Sequence, residues 1–147
     1  MWGAMQEIPS RPPSLADIEA LAERALAQLP EPLRERLAGI AIAVQELADD
    51  ATLDSLGIES PWDLTGLYQG VPRPLRSTDD LPRPPDMIVL YRQAILLEWV
   101  ETEEDLQHLV ASVLVHEAAH HFGFSDAEIE ALENDLQDSA VKPPDAP

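Results

Sequence analysis

His116-Glu117-Ala118-Ala119-His120-His121-Phe122-Gly123-Phe124-Ser125-Asp126 is the stretch that decides the fold. Within it His116, Glu117 and His120 stand in the order H-E-x-x-H. On a helix, at about 100° per residue, the two imidazoles project about 40° apart, with the carboxylate beside them. That arrangement suits a zinc ion and an activated water. Gly123 and Asp126 extend the pattern to H-E-x-x-H-x-x-G-x-x-D. A sharp left-handed turn at Gly123 can swing Asp126 back toward the metal as third ligand. Glu130 and Glu133, on the next helical stretch, compete for that place.

Upstream, Leu106, Leu109, Val110 and Val113 share the angular sector of the two histidines. Ala111, Val115, Ala118, Ala119 and Phe122 fill the opposite flank, and no charge occurs between Leu109 and Val115. A helix apolar on nearly all sides is a central, buried one. Imidazoles and a carboxylate buried there would each cost several kcal/mol without partners, and a metal supplies them. His121 points about 140° from His116 and is read as a packing or supporting residue. His108 is read as a surface residue. Tyr68 and Arg92 are candidates, by residue type alone, for stabilising an oxyanion.

Further out, Ser14 is a good N-cap for a helix built on Leu15, Ile18, Leu21, Ala22, Ala25, Leu26 and Leu29, which Pro30 stops. A short helix over 31–37 follows. Ile40, Ile42 and Val44 alternate with Ala41 and Ala43 as a strand. Residues 51–56 form a helical turn closed by Gly57. Residues 64–69 are a short strand, the best guess for an exposed edge that pairs with a peptide. Met87 to Tyr91 is a stronger, β-branched one. Between these strands, 71–86 holds five prolines and three arginines, and is either a surface excursion or a border of the cleft. A helix over 93–100 comes next. Thr102 is then expected to cap the motif helix, with Glu103, Glu104 and Asp105 in its first turn. Ser125 with Glu128 forms a capping box that opens a last helix to about Gln137.

The 147 residues suffice for one domain: a flexible arm over 1–13, a body over 14–138 and a flexible tail over 139–147. No apolar run can span a bilayer, and the first residues have no leader pattern, so no membrane partner and a cytoplasmic location are expected. Cysteine is absent, which excludes disulfides and thiolate metal sites. Twenty-eight acidic against nine basic residues give a net charge of −19, which repels nucleic acid and favours a substrate or partner of basic character.

The chain resembles the short bacterial zincin-like metallopeptidases over roughly residues 15–137. The likeness rests on Gly66-Leu67-Tyr68-Gln69-Gly70, on Ile88-Val89-Leu90-Tyr91-Arg92 and above all on His116 to Asp126. It implies an α+β class: a minimal zincin-like fold with a small mixed β-sheet packed against a central HExxH helix plus flanking helices. It implies Zn2+ as cofactor, held by His116, His120 and Asp126, with Glu117 as catalytic base. The enzyme so implied is a zinc metallopeptidase acting on a peptide or protein. The short chain after Asp126 and the strong acidity support a different reading, a non-catalytic zincin-fold binding or regulatory module with a metal site.

Overall fold

The computed structural model describes residues 11–70 and 86–141. Most of the arm, all but Asp86 of the Pro/Arg stretch, and the end of the tail lie outside them. Ser14 opens α1 (Leu15–Gln28) with a full capping box: its Oγ accepts from Asp17 N–H and its own N–H donates to Asp17 Oδ2. Helix α2 (Glu31–Leu37) follows Pro30. The rest runs β1 (Ala41–Gln45), α3 (Asp50–Leu56), a 3-10 turn (Pro61–Asp63), β2 (Gly66–Gln69), β3 (Met87–Tyr91), α4 (Arg92–Thr102), α5 (Leu106–His121) and α6 (Asp126–Val141). No helix among the described residues is long and apolar enough to cross a membrane.

The sheet is three-stranded and mixed, in the order β1-β3-β2. β1 runs parallel to β3 with Ala41 opposite Met87, and β2 runs antiparallel with Gly66 opposite Leu90. β3 is central, which is why its apolar run is unbroken: both faces are covered. Ile88 and Leu90 join the main core with Ile18, Ala22 and Ala25 of α1 and Leu109, Val110 and Leu114 of α5. Val89 and Tyr91 face the other way, onto Leu53 of α3, Ala48 and Ala94. Each large side chain so buried contributes about 1.5–3 kcal/mol. This is the α+β architecture that the resemblance implies.

Three expectations change. Thr102 does not cap the motif helix but ends α4, its Oγ1 donating back to Glu98 O at 2.8 Å. Glu103 then turns left-handed at φ 58°, and Asp105 is the true N-cap of α5, accepting from His108 N–H at 3.0 Å. Thr102 and Asp105 both suit an N-cap, and only the reversal at Glu103 selects between them. α6 runs on to Val141, past both Gln137 and the expected start of the tail at 139. His108 is not a surface residue: its side chain is 19% exposed, with Nδ1 3.9 Å from Glu104 Oε1.

Candidate metal centre

α5 is the central helix. Eight of its side chains are buried, from Leu109 to Ala119. Its end is a Schellman turn: Gly123, at φ 76°, donates to His120 O at 3.2 Å, and Phe124 N–H donates to Ala119 O at 2.9 Å. The Arg36 guanidinium lies over both Phe122 and Phe124, 5.4 and 5.8 Å from their ring centroids, and ties the turn to α2. Ser125 and Glu128 then form the expected capping box, each side chain bonded to the other's N–H at 3.1 Å.

The turn sends α6 back along α5, and an open cleft of about 310 Å³ lies between them. His116, His120, Asp126, Ile129, Glu130 and Glu133 line it. His120, Asp126 and Glu130 are exposed, and the His116 side chain is 44% exposed. The buried side of α5 therefore runs on through Ala118 and Ala119, while the imidazoles stand in solvent reach rather than in the interior. The two rings lie 6.1 Å apart at 64°. His116 Nδ1 is 3.1 Å from Ser112 O. With the proton on Nδ1 donated to that carbonyl, Nε2 carries the lone pair, the tautomer that a metal-ligating histidine uses.

Among the described residues, no three His, Asp or Glu side chains already converge at ligand distances. The donor set nevertheless fits zinc. Imidazole and carboxylate are its ordinary ligands in a site free of cysteine. Glu133 Oε1, closed to solvent, stands 2.7 Å from His116 Nε2 yet meets no donor at a hydrogen-bonding angle. Glu98 on α4 also senses this end of α5. Burial and its neighbours Glu104 and Glu101 push its carboxyl up, and His116 partly offsets them. A larger cleft of about 380 Å³, lined by Asp50, Leu53, Asp54, Gly57, Ile58 and Glu59, holds no imidazole and is not the site.

Glu117 lies on the other flank. Its Oε1 accepts from Tyr68 N–H of β2 at 3.3 Å, and it does not line the cleft. Gly66 makes this approach possible. A Cβ there would stand 2.6 Å from Val113 Cγ1 and 3.5 Å from Glu117 Cγ. Burial pushes the Glu117 carboxyl above the usual carboxylate range, and the Tyr68 amide, His120 and His116 only partly offset it. β2 is an edge strand as expected, but its free edge rests on α5. Gly66 is buried and the Tyr68 amide is engaged, so the edge is not open for a peptide.

The remaining candidates fall elsewhere. His121 stacks on Tyr68 with ring centroids 3.7 Å apart at 11°. Tyr68 OH donates to Asp86 Oδ2 at 3.2 Å. Arg92 donates to Pro13 O at 2.6 Å and to Glu46 Oε1 at 2.9 Å, anchoring α4. Neither Tyr68 nor Arg92 lines the cleft.

The family model for zincin-like metallopeptidases matches residues 37–136, a span that holds all three strands, α4, α5 and the turn into α6. The chain belongs to this family. No curated protein matches it. Within the matched span α5 carries the H-E-x-x-H residues. The structure adds two contacts to residues already in view: Gly66 against α5, and Glu133 against His116. A glycine inside a strand often marks a close backbone approach, so Gly66 carried a readable signal. The contact of Glu133 with His116 depends on how α6 packs, which no local pattern encodes.

Proposed function

We propose that the protein is a zinc-dependent peptidase. His116 and His120 hold the metal together with a carboxylate of α6, for which Asp126 stands at the motif's place. When bound, zinc supplies Lewis-acid polarisation of the scissile carbonyl and makes water easier to deprotonate. Glu117 takes the proton from the attacking water as the carbon–oxygen bond forms. It delivers that proton to the amine nitrogen as the carbon–nitrogen bond breaks. The observation that carries the reading is the state of Glu117. A site that only stores metal does not need a carboxylate next to the first imidazole in sequence that is fastened to a strand amide, with its affinity for a proton raised by burial. Asp126, Glu130 and Glu133 around the cleft favour substrates with basic side chains.

The test is hydrolysis of unfolded, lysine- and arginine-rich peptides by zinc-loaded protein beside Glu117→Gln. Loss of a general base lowers the rate about 10²–10⁴-fold. Equal turnover in both proteins would remove Glu117 from the mechanism. No turnover in either, with a specific partner retained by both, would favour the non-catalytic binding module.

A further inference from the structure

We infer, on the reading of Glu117 as the base, that His121 is a positioning residue that holds Glu117 in place through Tyr68. Glu117 and His121 are four residues apart on α5, so they project about 40° apart and share the face toward β2. Both grip one residue. The Tyr68 N–H donates to Glu117 Oε1 at 3.3 Å. The Tyr68 ring stacks on His121, with centroids 3.7 Å and planes 11° apart.

The strand alone holds that amide weakly. β2 has four residues and pairs with β3 on one side only. Thr65 O accepts from Tyr91 N–H, and the alternation of an antiparallel ladder then turns the Tyr68 amide away from β3. A single bond at 3.3 Å is long for N–H···O, and it orients a flexible carboxylate only if its donor is fixed. The stack supplies that fixing from the same helix, one turn past Glu117. Further contacts hold the two rings. Tyr68 OH donates to Asp86 Oδ2 at 3.2 Å, just before β3. Phe122 packs edge-on against both rings, 6.1 Å from Tyr68 and 5.2 Å from His121. Gly70 leaves room for the Asp86 carboxylate, which a Cβ at that position would strike. Neither His121 nor Tyr68 lines the cleft between α5 and α6, so their effect on the chemistry runs through the place of Glu117. A base displaced by an ångström loses much of its rate.

The experiment compares the wild-type chain with His121→Leu, which keeps bulk without a flat ring, and His121→Phe, which keeps the ring. Glu117→Ala marks complete loss of the bond. In the metal-free proteins, hydrogen exchange followed by NMR reads the Tyr68 amide directly. Its protection is expected to fall about 10-fold in His121→Leu and to stay within about 2-fold of wild type in His121→Phe. The β3 amides should not move. With zinc and an unfolded lysine- and arginine-rich peptide, kcat should fall about 10–100-fold in His121→Leu, with KM within about 3-fold. His121→Phe should restore kcat. Wild-type protection of the Tyr68 amide in His121→Leu would overturn the positioning role. So would equal loss in His121→Leu and His121→Phe, since a flat ring would then not be the agent. Parallel loss at the β3 amides would also overturn it, because general loosening would explain the result. A wild-type chain that cleaves nothing, with the Tyr68 amide behaving as expected, would overturn the base reading and leave the positioning of Glu117 standing.

Discussion

The two flanks of α5 are built differently. Toward β2 the packing is tight: Gly66 lies on Val113, and Glu117 is fastened to the Tyr68 amide in a half-buried position. Toward α6, His120, Asp126 and Glu130 are exposed, and the cleft between the helices is open. The difference assigns roles. A base must sit in a fixed, poorly solvated place for its proton affinity to be tuned. Metal ligands can be drawn together by the ion itself, so their flank can stay loose.

The predictions probe that contrast. Zinc should stabilise the loose flank most: at a free concentration 100 times Kd the chain gains about 2.7 kcal/mol, read as a rise in the thermal midpoint that a chelator reverses. Gly66→Ala attacks the tight flank. The new methyl drives into Val113 Cγ1, and overpacking of this kind costs about 1–3 kcal/mol in denaturant unfolding. Adding Val113→Ala should recover part of that loss, giving a non-additive double-mutant cycle.

Glu117→Gln should give a smaller change, with a sign set by pH. The folded state holds this carboxyl above its usual range, so folding favours the protonated form. Its ionisation therefore costs stability as pH rises from the usual carboxylate pKa toward the raised one, and the cost is constant beyond that. The metal-free Gln variant should be more stable than wild type at neutral pH. The advantage should vanish below the ordinary carboxylate range, as measured by denaturant titration at two pH values. The smallest effect is remote from both flanks. Glu103 pays for a left-handed backbone, and Glu103→Gly should stabilise the α4–α5 joint by about 0.5–1 kcal/mol.

Much of this was legible in the sequence, for local reasons. Ser14, Gly57 and Gly123 act within one turn of themselves, and the apolar run of β3 states its own burial on both faces. The H-E-x-x-H order fixes side-chain directions through the helix period alone. What stayed hidden depends on packing between elements. The start of α5 turned on one backbone reversal between two capping residues, Thr102 and Asp105. The exposure of His116 and His120 turned on where α6 stops covering α5, and the closure of the β2 edge turned on Gly66 letting a helix approach. Whether Asp126 or Glu133 faces an imidazole is set by the register of two helices.

The separation of flanks is tested most directly by the zinc dissociation constant of Glu117→Gln. If the base belongs to the β2 side alone, this variant binds one zinc per chain within about 3-fold of wild type while His120→Ala does not. A loss of affinity in Glu117→Gln as large as that of a ligand variant would make Glu117 part of the metal shell and contradict the account.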